Sequence, residues 1–233
     1  MLDDGWQVHR FPDKSLIEDA RELIRSKIKL ARIEDFHLGY STDILPLQYK
    51  LSSELTRSGL VRAIVESDKD FFFTLIGTEL HIQKFPYLRI ARPSRPEDNI
   101  GMHRDTWYGS SPHEINVSIA LTATDEKSAL RVVPGSHAKP EDFYPTTSRG
   151  NAHPKHSIGH QLGFLYAPKK LIEPVPDIAI HLEIGEALVF GPSLIHGQEV
   201  NNSESTRFSV DVRLVDSFAP IRWERTARSD YYE

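Results

Sequence analysis

The chain has 233 residues, with 28 lysines and arginines against 33 acidic residues, a formal charge of −5, eleven histidines and no cysteine. The acidic balance argues against a dedicated nucleic-acid binder and favours a small-molecule partner. Without cysteine there is no disulfide framework, thiolate metal site or cysteine nucleophile, so any metal must be held by nitrogen and oxygen ligands.

The N-terminal run MLDDGWQVHRFPDKS is acidic and lacks an apolar core. No stretch of about 18 apolar residues occurs anywhere, so neither a signal peptide nor a membrane span is expected, and a cytoplasmic protein is. The length suits one domain over 1–233 with helical additions to a β core, and leaves homo-oligomerisation open. Ser15 and Glu18 have the spacing of a capping box, and Ile17, Ala20, Leu23, Ile24 and Ile28 follow at helical intervals. A first amphipathic helix is predicted there, packed on a sheet. A second helical region carries Leu47, Leu51, Leu55, Leu60, Val61 and Ile64 and leads into DKDFFFTLIG, whose phenylalanines read as core. Residues 1–78 are thus expected to be mainly helical.

From about residue 79 to 216 short β-rich runs alternate with Pro, Gly and Asn, the pattern of an all-β sandwich or barrel. Strands are predicted at LHIQKF, YLRIAR, NIGMHR, HEINVSIALT, LRVVP, IAIHLE, ALVFG, LIHGQEV and RFSVDVRLVD. In HEINVSIALT, Ile115, Val117, Ile119 and Leu121 form a core face, while Asn116, Ser118 and Ala120 face either solvent or the inside of a barrel. RFSVDVRLVD sets Phe208, Val210, Val212 and Leu214 against Arg207, Ser209, Asp211 and Arg213. Between them, residues 138–177 form a long proline-rich loop. It is locally basic, with Lys139, Arg149, Lys155, Lys169 and Lys170. It reads equally as a solvated surface loop or as a lid over an anionic substrate.

The chemistry-bearing residues lie in this β-rich part. His103 and Asp105 stand one residue apart, and His196 follows far downstream in FGPSLIHGQEV. Two histidines and a carboxylate in this order match the facial triad of a ferrous site, which leaves positions open for oxygen and substrate. On one strand, His103 and Asp105 would project to the same face. After His196 come Arg207 and Ser209, a guanidinium and a hydroxyl on one face that make a ready clamp for a carboxylate. Read from the residues alone, three alternatives stay open: a metal-dependent cupin-type isomerase, a non-catalytic sugar-binding jelly roll with structural histidines, and a zinc hydrolase.

The combination of His103-x-Asp105, the segment ALRVVPGSH at 129–137, the turn EIGEALVFGPSLIHG and Arg207-x-Ser209 resembles the phytanoyl-CoA hydroxylase-like branch of the iron(II)- and 2-oxoglutarate-dependent dioxygenases. The likeness spans about residues 80–213. It implies a mainly β fold, a double-stranded β-helix (jelly roll, cupin-like) with N-terminal helices on the larger sheet. It implies His103, Asp105 and His196 as iron ligands, and Arg207 assisted by Ser209 on the distal carboxylate of 2-oxoglutarate. The chemistry implied is use of O2 to oxidise a substrate with release of succinate and CO2. Asp105 favours hydroxylation, because related halogenases replace this carboxylate with a small residue. Asn116 is a further candidate contact for the cosubstrate, and Trp107 and Tyr108 for the substrate pocket. His137 takes only a position at the active-site mouth from the resemblance. Gly185-Glu186 stands where the family often has Gly-Asp, and the basic insertion matches no shared pattern, so a lipid-thioester substrate is not implied. The expected substrate is instead a small, polar, anionic metabolite.

Overall fold

The computed structural model describes residues 3–147, 169–220 and 231–232. It opens with a strand that hydropathy does not suggest, β1 (Trp6–Arg10). The side chain this strand buries is His9, at 9% exposed, whereas Val8 is 41% exposed, so its pattern is the reverse of an apolar-in strand. α1 (Ser15–Ile28) buries Ile17, Ala20, Ile24 and Ile28. Each of its isoleucines contributes roughly 1.5–3 kcal/mol on burial. Ser15 is already helical and does not cap. Its N–H is instead accepted by Asp13 Oδ1 at 2.8 Å, which replaces the expected capping box.

The second helical region is divided. A short α2 (Phe36–Gly39) precedes α3 (Leu45–Ser58), which stops at Gly59 in the left-handed region at φ 70°. α4 (Leu60–Glu66) and α5 (Lys69–Ile76) follow, and Phe72 on α5 is fully buried. A glycine with positive φ ends α3 without strain, which is why the apolar spacing continues through the break while the helix axis does not.

Among the described residues eight strands lie beyond residue 79: β2 (Leu80–Ile82), β3 (Tyr87–Ala91), β4 (Ile115–Ala120), β5 (Leu130–Val132), β6 (Ile178–Ile180), β7 (Glu186–Phe190), β8 (His196–Gly197) and the long β9 (Arg207–Asp216). The larger sheet runs β1-β7-β4-β9, all antiparallel. β3 and β2 share the far edge of β9, opposite 207–211 and 214–216 respectively. The smaller sheet is β6-β5-β8. One face of the larger sheet carries Val117, Ile119, Val189, Phe208, Val210 and Val212 into a core shared with the helices. The opposite face turns toward the smaller sheet, where Leu188 and Phe190 meet Val132, Ile180 and Leu194. This is a jelly roll backed by helices, mainly antiparallel β. Asn116 and Ser118 are buried, so the small polar face of β4 lines the interior rather than meeting solvent.

One strand prediction fails at the most consequential place. NIGMHR is not a strand: His103 forms only an isolated bridge to His196, and Asp105 begins a 3-10 turn (Asp105–Tyr108). The backbones come too close there for ordinary side chains. A Cβ on Gly197 would lie 2.7 Å from Met102 N and Cα, so the glycine lets the two segments meet and the chain then turns away. No helix among the described residues is long and apolar enough to cross a membrane.

Candidate active site

The bridge between 103 and 196 is reciprocal. His103 N–H donates to His196 O at 2.8 Å, and His196 N–H donates to His103 O at 2.9 Å. Two chain segments far apart in sequence are thereby held in fixed register, with their imidazole centroids 4.4 Å apart. Each ring is oriented by a backbone carbonyl: His103 Nδ1 donates to Gly101 O at 2.7 Å and His196 Nδ1 to Leu194 O at 3.0 Å. With the proton on Nδ1, each ring presents its Nε2 as the ligating atom for a metal. Both Nε2 atoms face Asp105 Oδ1, at 3.3 Å from His103 and 3.9 Å from His196. One ligand atom from each of the three residues lies within 4.8 Å of the others, all buried. The shared face of His103 and Asp105 therefore survives without the expected strand, because the 3-10 turn carries Asp105 back under the ring. Burial and the neighbouring imidazole push His196 down to about 4, so it is neutral near pH 7 and able to ligate. Two imidazoles and one carboxylate, all oriented toward a common point, fit a divalent iron.

Asp105 is ionised despite its burial. Burial opposes the charge, but the guanidinium of Arg213 and the two imidazoles outweigh it and hold the carboxyl well below the usual range. Its outer oxygen, Oδ2, accepts from Arg213 Nη2 at 2.8 Å and from Asn116 Nδ2 at 3.0 Å. Asn116, a candidate cosubstrate contact by sequence, is thus bonded to the carboxylate of the triad, though it also lines the cavity.

That cavity, of about 440 Å³, lies inside the jelly roll and brings together His103, Asp105, His196, Asn116, Arg207 and Ser209. Arg207 and Ser209 share the inner face of β9 and are 5% and 6% exposed. Arg207 bonds to Gln198 through Nη2 and forms no ion pair among the described residues. Its Nε and the Ser209 hydroxyl are buried with no hydrogen-bond partner among the described residues. Burial pushes the guanidinium down to about 10. A buried guanidinium beside an unpartnered hydroxyl is a costly arrangement, and an incoming carboxylate would satisfy both groups at once. The other arginines of the lining are already ion-paired: Arg89 with Asp211 at 2.7 Å, Arg92 with Asp98 at 2.7 Å and Arg213 with Asp105.

Trp107 and Tyr108 do not belong to the described lining. The 3-10 turn rotates them into the interior, where Trp107 is fully buried with Lys169 Nζ 5.9 Å from its ring, and Tyr108 meets His103 edge-on. Strand alternation would have pointed one of them at the pocket, and the turn removes that alternation. Of the basic insertion, Lys169 pairs with Glu141 at 3.2 Å, and the base closes through a Thr146–Leu171 bridge. Arg149, Lys155 and the histidines at 153, 156 and 160 lie outside the described residues. Sequence reasoning passed over Arg213, Gln198 and Asp211. Arg213 was signalled by the alternation of β9, which places it on the same face as Arg207.

A jelly roll that brings two imidazoles and one carboxylate together beside a buried arginine with no ion pair among the described residues is the arrangement a non-haem iron oxygenase requires. The family model described as phytanoyl-CoA dioxygenase matches residues 2–209, and the chain belongs to that family. It is accordingly an iron(II)- and 2-oxoglutarate-dependent oxygenase, using O2. Among solved structures, EvdO2 from Micromonospora carbonacea var. aurantiaca is similar, with 16% identity, a TM-score of 0.60, and coverage of 96% of this chain and 92% of that one. The non-haem monooxygenase ThoJ, in its apo form, gives 16% identity and a TM-score of 0.58, covering 92% of this chain and 75% of its own. The epimerase SnoN, in complex with Fe3+, alpha ketoglutarate and nogalamycin RO, gives 16% and 0.55, covering 97% and 84%. At such identity these likenesses show the fold. A search of curated protein sequences finds no match.

Proposed function

We propose that His103, Asp105 and His196 hold the iron, that Arg207 and Ser209 receive the distal carboxylate of 2-oxoglutarate, and that the rest of the cavity admits a small polar metabolite for hydroxylation. The observation that carries this reading is the Arg207–Ser209 pair, buried, unpartnered at Nε and Oγ, and opening into the same cavity as the triad. Iron and 2-oxoglutarate, when bound, supply with O2 the oxidation that yields succinate, CO2 and a hydroxylated substrate. The chain's own part is positional. The Nδ1 bonds to Gly101 and Leu194 keep both imidazoles pointed inward. Leu130 and Phe190 on the lining help exclude water from the reacting centre.

The insertion's lysines led the sequence reading toward an anionic substrate. The lining supports an uncharged, hydroxyl-bearing one: once 2-oxoglutarate engages Arg207, each remaining described arginine of the cavity is matched by an aspartate. Ser41, Thr42 and Gln48 offer neutral hydrogen-bonding partners on the wall contributed by the helical region. The test is succinate release across neutral sugars, amino-acid derivatives, and carboxylated or phosphorylated metabolites. Coupled turnover with neutral polyols is expected, and coupling confined to the anions would return the reading to the cations of 138–177.

A further inference from the structure

A carboxylate can bind iron through one oxygen or through both. The second mode uses a position that 2-oxoglutarate or oxygen needs. Asp105 is prevented from adopting it. Oδ1 faces the two Nε2 atoms, while Oδ2 is occupied by Arg213 and Asn116 at hydrogen-bonding distance. Two donors on Oδ2, one of them charged, would have to be given up before that oxygen could turn toward the metal.

Arg213 is itself fixed on several sides. Its N–H donates to Gln83 Oε1 at 3.0 Å, and its carbonyl accepts from Gln83 N–H at 2.9 Å. Nη1 donates to the hydroxyl of Tyr231 at 3.2 Å, Cζ lies 5.3 Å from the Tyr87 ring centroid, and Nε stands 3.6 Å from Glu114 Oε2. Tyr231 is anchored by its own backbone, whose carbonyl accepts from Lys84 N–H at 2.9 Å, while Tyr232 bridges Gln83. A line of contacts therefore runs Tyr231–Arg213–Asp105, from Tyr231 to the His103–Asp105–His196 cluster.

We propose that Arg213 is the positioning residue that makes Asp105 a one-oxygen ligand, and that Tyr231 supports it by holding the guanidinium from behind. This rests on Asp105 being a metal ligand, as proposed above. Neither Arg213 nor Tyr231 needs to touch the iron, 2-oxoglutarate or the substrate. Their effect is on how many positions the carboxylate occupies and how firmly it stays there.

The test uses Co(II) in place of iron, because the intensity of its visible bands reports coordination number, together with Fe(II) affinity from chelator competition and apo-protein melting. Arg213→Lys keeps the charge but loses the planar fork. It should remain folded, bind Fe(II) about tenfold or more weakly, as losses of groups that orient metal ligands do, and change the Co(II) band intensity. Tyr231→Phe should shift the same spectrum in the same direction by a smaller amount, with unchanged melting. A purely structural role would lower melting and leave the Co(II) spectrum of the folded fraction as in the wild type. Wild-type spectra and Fe(II) affinity in both variants would overturn the proposal. If Arg213→Lys does not fold, Tyr231→Phe decides alone: an unchanged spectrum overturns the proposal and a shifted one supports it. Asp105→Ala is the control for the underlying reading, since metal binding that survives it would remove Asp105 as a ligand whatever the other variants do.

Discussion

Replacing Arg207 with methionine keeps a stem of similar length and removes the guanidinium. With Arg207 as the proposed clamp, the distal carboxylate of 2-oxoglutarate then loses two charge-assisted hydrogen bonds, each worth roughly 1.5–3 kcal/mol. A net loss of about 3–4 kcal/mol weakens 2-oxoglutarate binding by roughly 100- to 1,000-fold. The metal-free, cosubstrate-free protein should respond in the opposite sense. Burial has pushed Arg207 down from the ordinary arginine value to about 10, which at ~1.4 kcal/mol per unit sets roughly 3–4 kcal/mol against the charged form. Removing the guanidinium relieves that cost and leaves Gln198 with one bond fewer, so Arg207→Met should melt at or above the wild type. Anaerobic calorimetry with 2-oxoglutarate on the Fe(II)-loaded protein, a separate Fe(II) titration and apo-protein melting measure the three quantities. Binding of 2-oxoglutarate within about threefold of the wild type, or Fe(II) affinity falling in parallel with it, would refute the clamp.

Three other outcomes follow from the geometry. Gly197→Ala places a Cβ 2.7 Å from the Met102 backbone, so the 103–196 bridge should open and Fe(II) affinity collapse in a protein whose helical core, followed by circular dichroism, stays folded. Ser209→Ala removes one donor of the clamp and should raise the 2-oxoglutarate requirement by roughly tenfold, a loss of about 1.4 kcal/mol, with Fe(II) binding unchanged; an equal loss of both would tie Ser209 to the metal instead. Burial lowers the His9 pKa, an effect only partly offset by Asp68 at 3.1 Å. The unfolded chain then takes up that proton before the folded one does, and stability falls as pH drops below the ordinary histidine value near 6.5. His9→Gln should flatten that slope in urea melts of the metal-free protein between pH 7 and 5; a steeper slope would mean that His9 is charged in the fold.

The residues that the structure gathers around the cavity, His103, Asp105, His196, Arg207 and Ser209, could be singled out in the sequence because ligand chemistry restricts residue types so strongly. Histidine, carboxylate, histidine, then arginine and serine on one strand face is a pattern that core packing has no reason to produce in that order. β4 and β9 were legible for a different reason, since each alternates cleanly between an apolar face on the helices and a polar face toward the cavity. What stayed hidden was set by tertiary contact. β1 buries a histidine and exposes a valine, because His9 stacks on Phe71 at 3.8 Å. The division of α3 from α4 turns on the backbone freedom of Gly59. Trp107 and Tyr108 were misdirected because the strand assumed through 99–104 is a loop ending in a 3-10 turn, a consequence of how closely Gly197 lets the His196 segment approach. The bond from Asn116 to Asp105 depends on cross-strand register, Asn116 opposite Arg213, which sequence alone does not fix.

The most direct measurement is the anaerobic visible spectrum on adding Fe(II) and 2-oxoglutarate. With His103, Asp105 and His196 as ligands and Arg207 as the clamp, the wild-type protein gives the weak charge-transfer band of a chelated complex. The band disappears in Asp105→Ala/His196→Ala. In Arg207→Met it returns only at much higher 2-oxoglutarate. A well-folded wild-type protein without the band, or a double variant that keeps it, would contradict the assignment of these residues.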